Sequence, residues 1–475
     1  MLLFTNRVKY NNVPGSYIYA FPYKYLGIAG RATYSYKKRY FTEFNFGYNG
    51  SEQFAPGNRF GFFPSIAVGY LISNEKFWAP LKHVVNDLKF KASYGKAGND
   101  LMASGTRYGY NPTVNTSGPG FSFGNNPTWI GGIATGYPGN PNMRWEEATK
   151  FDVGIETKLF GALSIQADYF FDMRDGILIT RQSTPGVMGV ISEMDVNIGK
   201  MQNQGVDMGL QYEQKFGDLY LSARGNFTFN RNKRLYDDQA PLAWAYQNLT
   251  GFAQGQQFGL IAEGLFESQN DIDNWPKQDF GPVRPGDIKY RDINGDGVVN
   301  TFDAVAIGYT TIPEINYGFG ISMGWKGFDA SIFFQGVGHV TRIIGGFNLF
   351  GASSQIEKLG QIYEDVALNR WTLSNQNTDA PYPRLSLNKV ENNQQASTYW
   401  LRDMSFLRLK NAEIGYTIPK KLSKKVGLST VRIYAQGVNL LTFSKFKLWD
   451  PELNASYGNV YPTMRTVTFG AQLNF

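Results

Sequence analysis

The sequence predicts an all-β fold, a transmembrane antiparallel β-barrel, and three observations lead there. The last residues alternate strictly between apolar and polar side chains. The same alternation recurs in about fourteen segments of roughly ten residues, the length a tilted membrane strand needs. The connections between segments switch between short and long. In the final segment Val467, Phe469, Ala471, Leu473 and Phe475 fall on one face, and Thr466, Thr468, Gly470, Gln472 and Asn474 on the other. Successive strand side chains point to opposite faces, so this segment has one apolar wall and one polar wall. A membrane barrel turns the first to lipid and the second to its lumen. The chain also stops on Phe475, whereas soluble termini are usually polar and frayed.

Composition is compatible with this fold. The 475 residues include no Cys, which excludes a disulfide scaffold and any Cys-ligated zinc. Mean hydropathy is −0.32, and no run approaches the ~18 apolar residues of a membrane helix. A barrel also looks soluble by hydropathy, because only alternate residues of each span are apolar. The 29 Tyr and 36 Phe suit aromatic girdles at two membrane interfaces, although a large lectin would absorb many of them. The net charge of +7 is spread without a basic stripe, so no nucleic-acid partner is expected. Met1-Leu-Leu-Phe-Thr-Asn-Arg-Val-Lys9 is too short an apolar run for a signal peptide. A barrel must be exported, so either this is not a barrel or the chain lacks its natural start.

Along the chain, Tyr34-Ser-Tyr-Lys-Lys-Arg-Tyr40 reads as a tight reversal into Phe44, Phe46 and Tyr48. Phe151, Val153, Ile155 and Leu159 oppose Asp152, Gly154, Glu156 and Lys158. After Phe160-Gly161-Ala162, residues Leu163, Ile165, Ala167, Tyr169 and Phe171 continue the pattern, which reads as a hairpin. Val206, Met208, Leu210 and Tyr212 turn at Gly217-Asp218 into Leu219, Leu221, Ala223, Phe227 and Phe229. Tyr317, Phe319, Ile321, Met323 and Trp325 turn at Lys326-Gly327 into Phe328, Ala330, Ile332 and Phe334. Long connections at 96–144, 234–257 and 340–402 are rich in Gly, Asn, Pro and aromatics. Short turns at one end and long loops at the other is the outer-membrane pattern. A propeller would repeat at about 40–50 residues, and no such period is present.

One motif within residues 286–303 carries chemistry. Asp292-Ile-Asn294-Gly-Asp296-Gly-Val298-Val-Asn300-Thr-Phe-Asp303 matches a calcium loop. Its oxygens stand at loop positions 1, 3 and 5, with the Val298 carbonyl at 7, Asn300 at 9 and Asp303 at 12. Asp at the last position departs from the usual Glu. A structural Ca²⁺ is therefore expected, against an Asx-rich turn that binds nothing. His83 and His339 are the only histidines, so no His-based triad or polyhistidine metal site is available and no enzyme activity is expected. Glu146 and Glu147 are adjacent and would face opposite sides of a strand. The loops carry Trp129, Trp244, Trp275 and Trp371, whose faces suit a sugar or peptide. A girdle or loop-core role explains these tryptophans equally well.

A set of short motifs then gives a resemblance. These are Ser93-Tyr-Gly-Lys-Ala-Gly-Asn99, Arg144-Trp-Glu-Glu147, Asn197-Ile-Gly-Lys-Met-Gln-Asn-Gln-Gly205 and Gly286-Asp-Ile-Lys-Tyr-Arg-Asp292 running on to Gly297. Lys326-Gly-Phe-Asp329, Phe333-Phe-Gln-Gly336, Asn369-Arg-Trp371, Leu407-Arg-Leu-Lys-Asn411, Gly415-Tyr-Thr-Ile-Pro419 and Gly437-Val-Asn-Leu440 follow in order. The chain resembles the C-terminal barrel portion of SusC/RagA-like TonB-dependent outer-membrane transporters. The resemblance implies about fourteen of the 22 strands of a plugged transporter barrel, with the plug absent from this chain. It implies import of glycans or peptides, a SusD-like surface lipoprotein, the TonB-ExbB-ExbD complex, outer-membrane lipid and the barrel-assembly machinery as partners. Phe475 would be the insertion signal. A fourteen-strand sheet has two open edges, so this chain alone is expected not to transport. The alternative from another class is a soluble or surface carbohydrate-binding β protein, a lectin or adhesin.

Overall fold

The computed structural model describes all residues except 14, 16, 102–106, 126–127, 190–192 and 351–361. Fourteen strands make one sheet whose spatial order is the chain order. They are β1 (Leu2–Lys9), β2 (Tyr23–Tyr36), β3 (Tyr40–Ser51), β4 (Phe60–Leu71), β5 (Val85–Asn99), β6 (Glu146–Leu159) and β7 (Leu163–Thr180). The others are β8 (Asp195–Phe216), β9 (Leu219–Tyr236), β10 (Ile315–Trp325), β11 (Phe328–Gly338), β12 (Phe406–Thr417), β13 (Thr430–Ser444) and β14 (Thr466–Asn474). The number of strands in this antiparallel sheet thus agrees with the about fourteen alternating segments of the sequence. By contacts the chain divides into two compact units: residues 1–210, 230–241 and 250–252, and residues 211–229, 242–249 and 253–475.

In the first unit the register follows from the turns. Tyr36 pairs with Tyr40 across residues 37–39, where Lys37 and Lys38 both take positive φ. Leu159 pairs with Leu163 across Phe160 and Gly161, also at positive φ. Apolar side chains on alternate positions are exposed, among them Phe62, Ile66 and Val68 of β4 and Phe151, Val153 and Ile155 of β6. A soluble sheet would cover such a surface; a lipid-facing one leaves it bare. Its small core is Phe54, Phe63, Met143, Trp145 and Leu178, at the loop end of the strands.

The second unit repeats this scheme. Trp325 pairs with Phe328 across Lys326 and Gly327, with φ of 45° and 91°. Two central residues at positive φ make a type I′ turn, whose twist matches that of the flanking strands. The register skips Lys410 of β12 opposite Phe333 and Phe334 of β11, and β13 carries one residue more than β12 between Val438 and Leu441, so the bulges lie in β12 and β13. Its core lies in the loops, where Ile288, Tyr290, Val299, Val366, Trp371 and Trp400 are fully or almost fully buried. Among the described residues no helix is long and apolar enough to cross a membrane.

One expectation is adjusted. The long connection placed at 234–257 runs to residue 314, because its apolar runs are short loop strands and not spans. Gln257–Gly259 pairs with Val305–Ile307, and Ala262–Leu265 pairs with Ile288–Tyr290. The polar face of β14 is open to solvent, as a face lining a lumen would be. Here β14 has β13 as its neighbour and ends the strand order, and both of its faces are exposed.

Candidate functional site

The polar face of the first unit is a lattice of paired charges. Lys91 Nζ lies 2.9 Å from Asp168 and 3.4 Å from Glu156, and Lys89 lies 3.2 Å from the same Glu156. Gln166 donates to Asp168 at 2.8 Å. Asp168 needs Gly154 beside it, because a Cβ there would sit 1.8 Å from its carboxylate. The alternation of β5, β6 and β7 sets these residues on one side and the apolar rows on the other. Glu146 and Glu147 separate as expected. Lys96 pairs with Glu147 at 2.7 Å, while Arg174 and Asn99 approach Glu146 at 3.6 and 3.3 Å.

In the second unit the loops fold around a buried polar network that sequence reasoning missed. Asp287 is fully buried. Its oxygens lie 2.8 Å from Arg384 Nε and 2.9 Å from Arg384 Nη2. They also accept from the Arg284 amide and from Asn393 Nδ2, each at 2.8 Å. Asn393 in turn accepts from the Ile288 amide at 2.9 Å, and Asn392 donates to the Ile288 carbonyl at 2.8 Å. Gln278 bridges Asn392 and the Tyr290 amide at 2.7 and 2.5 Å. Burial pushes the Tyr290 phenol well above its ordinary range, so it stays a donor, to the Asn392 carbonyl at 2.9 Å. The motif Gly286-Asp287 was the available signal, since it sets one carboxylate beside the apolar Ile288 and Tyr290. Gly286 takes φ of 86°, and a Cβ there would meet the Trp371 ring at 2.4 Å.

Of the four expected ligand-facing tryptophans, Trp129 falls in the first unit and Trp244, Trp275 and Trp371 in the second. Trp129 belongs to the first unit and is exposed, on the ribbon of Val114–Phe123 and Thr128–Thr135. Trp244 stacks on Tyr246 at 6.0 Å. Trp275 lines a cleft of about 600 Å³, with Lys289 Nζ 3.9 Å over its ring and its indole N–H on the Tyr290 carbonyl at 2.7 Å. Trp371 is corrected: it is a core residue, 4% exposed, and its ring is out of a ligand's reach.

The six residues of the expected calcium loop do lie together, closed by their own backbone. Asp292 accepts from the Gly295 and Gly297 amides at 2.7 and 2.8 Å. Asn294 accepts from Asp296, Asp296 from Val298 and Asn300 from Phe302, at 2.9, 2.8 and 2.7 Å. Buried Asp303 accepts from Ile293 and Asn300, each at 2.8 Å. Among the described residues no three His, Cys, Asp or Glu side chains converge on one centre. Backbone amides thus order the loop through the same oxygens a hard cation would use. His339 stacks on Tyr309 at 4.4 Å and meets Glu314 at 3.2 Å, a packing role.

Comparison with known proteins places this architecture. The model of the TonB dependent receptor-like β-barrel family matches residues 5–440. The chain belongs to that family, whose members are strand-spanning outer-membrane transport receptors and not enzymes. It is 28% identical to TonB-dependent receptor P3 of Formosa agariphila over 99% of this chain and 48% of that one. It is 26% identical to TonB-dependent receptor SusC of Bacteroides thetaiotaomicron over 94% and 43%. The solved RagAB peptide transporter shares the fold, with a TM-score of 0.74 and 24% identity over 96% of this chain and 48% of that one. The chain spans about half the length of the curated relatives it matches. Family membership replaces the soluble lectin alternative.

Proposed function

We propose that this chain forms barrel wall and surface loops of an importer of glycans or peptides. The observation that carries this reading is the charged face of β5, β6 and β7, backed by exposed apolar rows. Such a wall suits a polar solute passing beside lipid. The outer loops, built on the Asp287 network, support a surface for a SusD-like lipoprotein and for substrate. Exposed Trp129 and half-buried Trp244 and Trp275 are the substrate-facing candidates. Energy would come from TonB-ExbB-ExbD, and Phe475, which is 94% exposed, would be read by the barrel-assembly machinery. Uptake of labelled oligosaccharides and oligopeptides by cells with and without the gene tests this reading. Loss of uptake of one class on deleting either the gene or tonB supports it; uptake that survives both deletions overturns it.

For the loop at 292–303 we propose a structural role. Calcium there would compete with the loop's own amides for Asp292, Asp296 and Asp303. Binding is expected to be no tighter than the millimolar range of weak extracellular sites.

A further inference from the structure

The net positive charge of this protein sits on one of the two alternating sets of strand connections. Consecutive strands are joined alternately at two ends. One set of connections comprises residues 37–39, 72–84, 160–162, 217–218, 326–327 and 418–429. Those 35 residues hold ten Lys or Arg and two acidic residues, a balance of +8. The whole chain carries +7, so everything else nets −1. Each unit shows the asymmetry by itself, with +4 on the turns of the first and +4 on those of the second.

We propose that the turn end of each unit is a docking surface for the headgroups of anionic phospholipids in the periplasmic leaflet. Short barrel turns are periplasmic. Lys420, Lys421, Lys424 and Lys425 are all exposed, and no carboxylate lies within ion-pair distance of any of them among the described residues. Leu422, 54% exposed, projects from the same helical turn, as in an interfacial segment that sinks one apolar residue among cations. Lys37 Nζ lies 5.1 Å over the Tyr36 ring and Lys326 Nζ 5.4 Å over Trp325. Both rings are exposed, so each pair sets an aromatic at the interface beside an ammonium, the arrangement of a snorkelling side chain. Arg39 with Glu75 at 2.7 Å and Lys326 with Asp218 at 3.8 Å are the neutralised exceptions. A solvated charge face would need no such bias toward one end, and a negative leaflet surface supplies the complementary charge.

The test uses the full-length protein extracted from its own membrane in mild detergent, with retained lipid counted by native mass spectrometry. Each lysine near an anionic surface is worth roughly fivefold in affinity. K420Q/K421Q/K424Q/K425Q should therefore lose at least about tenfold of retained phosphatidylglycerol or cardiolipin, and the fourfold Arg variant should keep it. Raised salt should strip the parent protein similarly. Equal retention by parent and Gln variant overturns the proposal, as does full displacement by inorganic phosphate at equal concentration, which would mean a free-anion site. Should the Gln variant fail to fold, K37Q/K38Q in the other unit and the salt series on the parent separate the same two outcomes.

Discussion

Replacing Asp287 with Ala should unlock the loop core while leaving the strands intact. The carboxylate is fully buried, accepts from Arg384 Nη2, the Asn393 side-chain amide and the Arg284 backbone N–H, and has Arg384 Nε at ion-pair distance. Removing one partner of a buried pair costs about 3–5 kcal/mol, because the other charge stays behind uncompensated. Arg384 is only 18% exposed, so water relieves little of that loss. We take about 4 kcal/mol, roughly a 1,000-fold rise in the population of the opened loop at 1.36 kcal/mol per tenfold. Hydrogen exchange on detergent-solubilised protein reads this directly. Peptides covering 286–303 and 391–405 should exchange about 1,000-fold faster, and those of β6 and β7 should be unchanged. Asp279, whose side chain is 58% exposed and faces Lys277, serves as the control, with an expected effect under about 0.5 kcal/mol on replacement by Ala. If D287A and D279A give equal loop protection, the buried ion pair does not hold the loop core.

Other outcomes follow from the same geometry. W371A should destabilise the loop core by about 3–5 kcal/mol, whereas W129A should leave hydrogen exchange unchanged and lower substrate affinity in a binding assay. Asp238 lies just beyond β9. Burial alone would raise its pKa, but the amides of Ser183 and Gln182 and the hydroxyls of Ser183 and Tyr236 outweigh it and hold the carboxyl below the usual range. Its stabilisation is thus fully present above the unfolded pKa of about 3.9 and is lost as pH falls through the lower folded value. Exchange protection of residues 181–183 should therefore persist at pH 5 and fail only in strong acid; failure near pH 5 would contradict this. Calorimetry with calcium should show no saturable heat below millimolar concentration. Submicromolar binding abolished by D296N would restore the expected ion site.

Strand number, strand type and the lipid face were legible in the sequence. A period-2 pattern is local, and Val467, Phe469 and Leu473 declare their side without reference to any partner. The turns were legible too, since Lys326-Gly327 states its own conformation. What needed tertiary structure was every contact between residues distant in sequence. The pairing of Asp287 with Arg384 and Asn393, like that of Lys91 with Asp168, depends on how far chains fold back, and no period encodes it. The same limit applied to Trp371, whose type suits a ligand platform and a core alike until Gly286 and its neighbours close over it. In the 292–303 loop the sequence determined which oxygens stand in register. Only the folded loop decided that those oxygens meet amides, because a backbone donor three residues away is closer than any ion from solution.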